Sequence, residues 1–274
     1  MEILANGPAA NEAMMRAHVN KLTVLIVGLL LFSSVSASFA EVQSEEIRLN
    51  GRIVLIAFRG LVEDHLEGVR GGLKALAATE DARSGDWERI KAPLGQFSQS
   101  IPTDAAMWFA KSDGSYFTVQ AGGAAKTLKD RDYFPTLLAG QDVEGSLVIS
   151  KSTGARSVIV AAPILSGGKV IGALGASISS ENLSNLVHDN LGLPSDVIFY
   201  ALNAQGQTAL HGMQNLIFEF PSDMGDESLK SAVKKILTET EGSESYTFRG
   251  SPRTVLFEKS RIPGWAFVLG VAGR

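Results

Sequence analysis

One order of secondary-structure elements occurs twice in this chain, and it strongly limits the folds that the chain can adopt. The first copy is a hairpin, a short helix and three strands, predicted at 105–112, 115–121, 131–138, 145–151, 156–165 and 169–178. The second copy is predicted at 196–203, 207–211, 226–241, 244–249, 253–259 and 265–271. The strands are short and joined by tight turns such as Asp113-Gly114, which favours antiparallel pairing.

A hairpin, a helix and three antiparallel strands form the layout of a PAS-like module, and a repeated order is more informative than a single copy. The sequence therefore predicts an α+β fold with two PAS-like modules. Each module is an antiparallel sheet of about five strands with flanking helices. Gly192 and Gly242 are predicted to end the helices at 180–191 and 226–241.

A long helix is predicted before the first module, between residues 42 and 78, where there is no proline. Its apolar residues recur at helical steps of three and four, and they are Phe58, Val62, Leu66, Val69, Leu73 and Leu76. Gly71 and Gly72 would each cost about 1 kcal/mol inside a helix. A close helix contact would offset that cost, and a break at these residues is the alternative. Glu63 and Asp64 are predicted to be solvated on the charged face, and a second helix is predicted at 86–99.

The N-terminal segment has the features of a secretory signal peptide. Arg16 and Lys21 precede the apolar run 22–32, and small residues follow up to Ala40. Cleavage after this segment is favoured, with an uncleaved membrane anchor as the alternative. Met14 and Met15 are alternatives to Met1 as the start. The rest of the chain is expected in the periplasm, either free or tethered to the inner membrane.

Composition excludes several classes of function. The net charge of −4 argues against a nucleic-acid partner, which would need a basic face. The chain has no cysteine, which excludes disulfides and thiolate chemistry, and its four histidines have no metal-ligand spacing. Ser166 and Lys169 have the spacing of a serine acyltransferase, but Gly167 and Gly168 place them in a hairpin. We therefore expect no enzyme activity, no cofactor and no metal.

Four ordered segments resemble the double Cache family of extracytoplasmic sensor domains, and they are 128–134, 150–154, 160–164 and 168–175. The resemblance implies a stalk helix, a membrane-distal module that holds a ligand and a membrane-proximal module that relays the signal. The corresponding division of the chain is 1–40 for the signal peptide or anchor, 41–102 for the stalk and flanking helices, 103–192 for the distal module and 193–274 for the proximal module.

The resemblance also implies a ligand site around Arg131. In the family this position supplies an arginine for a ligand carboxylate, and Tyr133 and Phe134 occupy the positions of its aromatic wall. A guanidinium group can donate two parallel hydrogen bonds to a carboxylate, which supports that role. Without the resemblance, Arg131 would be interpreted as a surface residue paired with Asp130 or Asp132.

The position of Ser177 differs from the amino-acid-binding members, which have an aspartate there for the ligand ammonium group. Serine carries no charge to offset the desolvation of a buried ammonium, so an organic acid is favoured over an amino acid. Ser150 or Lys151 is predicted to meet a second carboxylate, with a solvated lysine as the alternative. Trp108 and Tyr116 are predicted to wall the pocket, with ordinary core or surface positions as the alternative.

These observations lead to the hypothesis of an extracytoplasmic domain that senses a small carboxylate-bearing molecule. Because no second apolar span precedes Arg274, we expect the domain to lack its own cytoplasmic output. A membrane receptor or histidine kinase is therefore expected as its partner, and the long helix is considered for homodimerisation. The alternative is a periplasmic structural or adaptor protein with a vestigial pocket.

Overall fold

The computed structural model describes residues 50–273, and its first element is a long helix, α1, over residues 50–77. Five of the six apolar residues predicted for one face of this helix are buried, and they are Phe58, Val62, Leu66, Val69 and Leu73. Leu55 is buried with them, whereas Leu76, the sixth, is half-buried. The predicted signal peptide or anchor at 1–40 lies outside the described residues. None of the helices in the described range is both long and apolar enough to cross a membrane.

Two helices follow α1, and they are α2 (Glu80–Arg83) and α3 (Trp87–Ser100). The Asp86 carboxylate accepts a hydrogen bond from the backbone N–H of Glu88 at 3.0 Å, so the predicted start of α3 is confirmed. A Cβ atom on Gly72 would lie 2.3 Å from the ring of Phe97 in α3. The helices therefore approach closely at Gly72, and α1 continues through Gly71-Gly72 without a break.

The first sheet has six antiparallel strands in the order β3-β2-β1-β6-β5-β4. The strands are β1 (Ala105–Lys111), β2 (Ser115–Thr118), β3 (Gly122–Thr127), β4 (Val143–Ile149), β5 (Arg156–Ser166) and β6 (Lys169–Ser179). Helix α4 (Phe134–Leu138) precedes β4, and α5 (Ser180–Leu191) follows β6. The C-cap of α5 is Gly192, in the left-handed conformation with φ 55°, as predicted. We call this sheet with α4 and α5 the first module.

The second sheet has five antiparallel strands in the order β8-β7-β11-β10-β9. They are β7 (Val197–Leu202), β8 (Thr208–His211), β9 (Glu241–Phe248), β10 (Ser251–Lys259) and β11 (Ala266–Ala272). Helices α6 (Pro221–Met224) and α7 (Glu227–Thr238) lie between β8 and β9. We call this sheet with α6 and α7 the second module. The two antiparallel modules after a long helix confirm the predicted fold class.

The structure differs from the predictions at β3 and at the end of α7. Strand β3 was not predicted, because Gly122–Thr127 contains glycine and alanine where strands usually have β-branched or aromatic residues. Gly242 does not end a helix: α7 ends at Thr238, and Gly242 lies in β9 opposite Phe257. A Cβ atom on Gly242 would lie 2.7 Å from the Phe257 ring, so a close approach of side chain to backbone requires glycine there.

The buried face of α1 packs against both sheets in one continuous core. Phe58 shows this most directly, because its ring lies edge-on to Phe199 of β7 at 5.3 Å and to Phe267 of β11 at 4.9 Å between centroids. From the first sheet, Met107 and Phe109 belong to the same core. The helix is therefore a structural support that the two modules share.

Glu63 of α1 is buried, which corrects the prediction of a solvated Glu63-Asp64 pair. Its side chain is 4% exposed and accepts hydrogen bonds from Ser260 Oγ at 2.7 Å, Arg261 N at 2.7 Å and Arg261 Nε at 2.9 Å. Burial raises the pKa of Glu63, but these hydrogen bonds and the charge of Arg59 outweigh it, and the net pKa is lowered. Asp64 remains exposed, and its carboxylate pairs with Arg261 at 2.8 Å.

The adjacent glycines of α1 lead to opposite predictions. A Cβ atom on exposed Gly71 would meet no atom within 4 Å, so Gly71→Ala should stabilise the protein by about 0.5–1 kcal/mol through helix propensity. Gly72→Ala should destabilise it by about 1–3 kcal/mol because the methyl group would overlap Phe97. Urea unfolding of both variants measures the two effects, and an equal response would contradict the close contact at Gly72.

Glu63→Gln should lower the free energy of unfolding at pH 7 by about 1–3 kcal/mol, because Arg261 loses its buried charged partner. The lowered pKa means that this stabilisation is present above the ordinary value of 4.5 and is lost as the pH falls through the folded-state pKa. The variant should therefore lose less stability on acidification than the unmutated protein. Glu67→Gln is the control, because that side chain is 53% exposed. Parallel acid profiles for all three proteins would contradict this account.

Candidate ligand-binding site

Trp108 lies flat against the first sheet because the strand beside it has a glycine. Trp108 of β1 is opposite Gly175 of β6, where a Cβ atom would lie 2.0 Å from the indole ring. Two residues further along β6, on the same face, Ser177 Oγ accepts a hydrogen bond from Trp108 Nε1 at 3.2 Å. The indole therefore covers Gly175, and its N–H is hydrogen-bonded to the hydroxyl of Ser177.

The four aromatic residues predicted for the ligand pocket come together on this face of the sheet. Tyr133 stacks on Trp108 with ring centroids 6.4 Å apart, and Tyr116 and Phe134 belong to the same buried cluster. The exposed fractions of the four side chains are only 2–6%. The cluster is completed by apolar residues of the sheet and α4, and they include Leu128, Leu137, Val143 and Ile159. We call this group the aromatic cluster.

Arg131 lies at the edge of the aromatic cluster, in a turn just before α4. Its Nη2 donates to the carbonyl oxygen of Ile149 at 2.5 Å, whereas its buried Nε has no hydrogen-bond partner. Burial raises the pKa of Tyr133 far above its usual value, and the positive charge of Arg131 opposes this shift. The pKa of Tyr116 is also raised by burial and lowered in part by Arg131. A guanidinium group therefore faces two neutral phenols.

Ser150 and Lys151 lie in the turn after β4, and their polar groups are bonded within the protein. Ser150 is buried, and its hydroxyl contacts Ser152 Oγ at 3.2 Å. Lys151 Nζ donates to the carbonyl oxygen of Thr127 at 2.7 Å and forms an ion pair with Asp130. Lys151 therefore holds the segment before Arg131, and Asp130 has Lys151 as its partner.

A cleft of about 550 Å³ borders Arg131 and Tyr133 on the side of the second module. Its polar walls include Glu144 from β4 and the amide side chains of Asn203, Gln205 and Gln207. Burial raises the pKa of Glu144, and the nearby charge of Arg70 lowers it in part. This cleft could not be predicted from the sequence, because its walls come from segments that are far apart in the chain.

Trp265 forms a contact between the two modules. Trp265 of the second module is buried, and its Nε1 donates to the carbonyl oxygen of Gly145 in β4 at 3.0 Å. Gly145 has φ 86°, and a Cβ atom there would lie 2.4 Å from Ile262. Only glycine fits this position, so β4 and the 260–265 segment are held together directly.

Across residues 50–273, histidine, aspartate and glutamate side chains do not gather in groups of three that would suit a metal ion. The groups that the structure gathers at this site are one guanidinium group and four aromatic rings.

Several solved structures have this fold. The ligand-binding domain of the Pseudomonas aeruginosa PAO1 amino acid chemoreceptor PctB, in complex with L-Arg, matches with a TM-score of 0.67 and 18% identity, over 85% of this chain and 96% of that chain. The sensory domain of the Campylobacter jejuni chemoreceptor Tlp3, with isoleucine bound, matches with a TM-score of 0.63 and 16% identity, over 84% of this chain and 94% of that chain.

The extracellular domain described for the histidine kinase rpHK1S-Z16 matches with a TM-score of 0.70 and 17% identity, over 86% of this chain and 97% of that chain. No family model and no curated protein matches the sequence. The solved structures establish that the chain has the double Cache fold of extracytoplasmic sensor domains, which confirms the resemblance at the level of the fold.

The contact between Trp108 and Gly175 can be tested in the absence of any ligand. Gly175→Ala should destabilise the protein by about 1–3 kcal/mol, because the methyl group would overlap the indole ring. Gly123→Ala is the control in the same sheet, since its Cβ atom would make an ordinary contact of 3.5 Å with Phe117. Chemical unfolding followed by tryptophan fluorescence measures both changes. A Gly175→Ala variant as stable as Gly123→Ala would contradict the packing described.

Proposed function

We propose that this protein is an extracytoplasmic sensing domain that binds a small carboxylate-bearing molecule at Arg131 in the first module. The observation that carries the proposal is the buried Nε of Arg131, which has no hydrogen-bond partner beside an aromatic cluster. A buried donor without a partner costs free energy, and a carboxylate would remove that cost. The surrounding rings exclude water and strengthen such a pair.

The proposed ligand is an organic acid rather than an α-amino acid. PctB and Tlp3 were solved with L-Arg and isoleucine, so this fold can hold amino acids. In this chain the position expected to hold an ammonium group is Ser177, and its hydroxyl already accepts the Trp108 N–H. A ligand ammonium would therefore be desolvated without a charged partner at that position.

Ligand binding would require the aromatic cluster to rearrange. Arg131 would exchange its bond to Ile149 for the ligand, and Tyr133 or Trp108 would have to move to make room. Ile149 ends β4, and β4 contacts Trp265 of the second module through Gly145. A movement of β4 at Ile149 would therefore alter the contact between the two modules. The ligand would thus favour one arrangement of α1 and the second module, which a membrane receptor or histidine kinase would detect.

The second candidate is a structural or adaptor protein whose pocket is vestigial. The observation in its favour is that the aromatic cluster fills the face of the first sheet, with Trp108 3% and Phe134 2% exposed. Well-packed aromatic side chains stabilise a fold whether or not a ligand ever displaces them. The two candidates differ in whether any small molecule stabilises the protein.

A thermal-shift panel of dicarboxylic and hydroxy acids, with amino acids alongside, separates these candidates. At least one organic acid should raise the unfolding temperature, and Arg131→Ala should weaken its binding at least about tenfold, because the charge-assisted bonds are lost. Arg131→Lys should also weaken binding, because lysine lacks the planar fork. Arg89→Ala is the matched control, since this exposed arginine of α3 pairs only with Asp81 among the described residues.

If no compound raises the unfolding temperature of the unmutated protein, the vestigial-pocket candidate is favoured and the sensing proposal fails. If amino acids alone stabilise the protein, the proposed preference for organic acids is wrong. The site at Arg131 is then supported if Arg131→Ala weakens amino-acid binding, and contradicted if that variant binds as well as the unmutated protein.

A further inference from the structure

The second sheet carries a cluster of polar side chains that binding at Arg131 does not use. They lie on the face that α7 covers, where Tyr200 of β7 is opposite His211 of β8, and Tyr246 of β9 is opposite Arg253 of β10. Thr208, at the start of β8, also faces this side. These five residues line one pocket of about 30 Å³. We call it the second pocket.

Two polar groups at the second pocket are buried without a partner. Thr208 is 1% exposed, and its Oγ1 forms no hydrogen bond. The Nε atom of Arg253 is likewise buried and unbonded, while the guanidinium group lies 4.5 Å from the centre of the Phe248 ring. None of the carboxylates between residues 50 and 273 forms an ion pair with Arg253. Both groups are costly to leave unsatisfied, so the pocket lacks an acceptor that would suit them.

His211 adds a donor rather than a charge to the second pocket. Its Nδ1 accepts a hydrogen bond from the backbone N–H of Met213 at 2.8 Å, so the neutral ring has its proton on Nε2. Burial and the nearby charge of Arg253 lower the pKa of His211 to about 4, which keeps the ring neutral at pH 7. The ring stacks on Tyr200, whose hydroxyl lies 3.3 Å from that of Tyr246.

The remaining walls limit what the second pocket can hold. They are mostly apolar, and they include Leu216, Pro221, Met224 and Leu229. The volume exceeds the roughly 10–15 Å³ that one water molecule needs, but it is too small for a large ligand. Glu219 also lines the pocket and is exposed, so its negative charge would disfavour a ligand with a second carboxylate. The walls therefore suit one carboxylate group with a short apolar tail.

We propose that the second pocket binds a short monocarboxylic acid such as acetate, with the Arg253 guanidinium and the Thr208 hydroxyl as donors to its carboxylate. The neutral His211 and the two tyrosine hydroxyl groups complete the polar wall, and the apolar residues contact the alkyl tail. This site is separate from Arg131, and it gives each module a carboxylate site of its own. It stands whether or not the function proposed for the first module is correct.

Acetate is the probe, titrated by calorimetry and thermal unfolding, with sodium chloride at equal ionic strength as the reference. Acetate should bind the unmutated protein, and Arg253→Gln should weaken that binding at least about tenfold, because the charged donor is lost. Arg249→Gln is the matched control: Arg249 lies 5.1 Å from the same Phe248 ring but does not line the pocket. The control should keep the affinity of the unmutated protein.

Thr208→Val keeps the proposal testable if the Arg253 variant unfolds. This nearly isosteric change removes a buried hydroxyl without a partner, so the empty protein should be at least as stable as before, whereas acetate should bind several-fold more weakly. Arg131→Ala should leave acetate binding unchanged. The proposal is overturned if about 10 mM acetate has no effect beyond that of chloride, which would show that millimolar binding is absent. It is also overturned if Thr208→Val binds acetate as well as the unmutated protein, or if Arg131→Ala abolishes binding.

Discussion

The structure depends on one apolar helix face that two separate sheets share. Residues of α1 such as Phe58, Val62 and Leu66 are fully buried, and they form one core with residues from both modules. Burying a large apolar side chain contributes about 1.5–3 kcal/mol, so this face accounts for a large part of the cohesion between helix and sheets. Because a single helix contacts both modules, a displacement of either sheet must be accommodated at α1.

Polar contacts then fix the relative position of the parts. Glu63 holds the segment that begins at Ser260, and Trp265 in the same segment donates to Gly145 of β4. Arg70 of α1 reaches the same strand through its ion pair with Glu144 at 2.9 Å. The strand that ends beside Arg131 is thus tied at its other end to α1 and to the second module. This arrangement gives a physical route by which a ligand in the first module would affect the rest of the protein.

The fold could be predicted from the sequence because its signals are local. The spacing of Phe58 to Leu73 predicts the buried face of α1, and short strands with tight turns predict the two antiparallel sheets. The local signal fails for β3, because its residues have little strand propensity of their own. This strand is held at the edge of the first sheet by its pairing with β2. The local signal fails again for Glu63, whose partners are 197 and 198 residues away in the chain.

The candidate site was predicted in part. The resemblance pointed to Arg131, and the structure brings Trp108, Tyr116, Tyr133 and Phe134 into one cluster beside it. The closed packing of that cluster could not be predicted, since it depends on the register that places Trp108 opposite Gly175. The predicted roles of Ser150 and Lys151 in binding a second carboxylate stay predictions. In the structure both side chains are hydrogen-bonded within the protein. The second pocket gave no sequence signal, because its residues become neighbours only through strand pairing.

A crystal structure with the organic acid that stabilises the protein most tests binding at Arg131 directly. The ligand carboxylate should accept hydrogen bonds from the Arg131 guanidinium, with Tyr133 or Trp108 displaced from its position in the aromatic cluster. A ligand bound elsewhere, with Arg131 still bonded to Ile149 and the cluster unchanged, would contradict binding at Arg131.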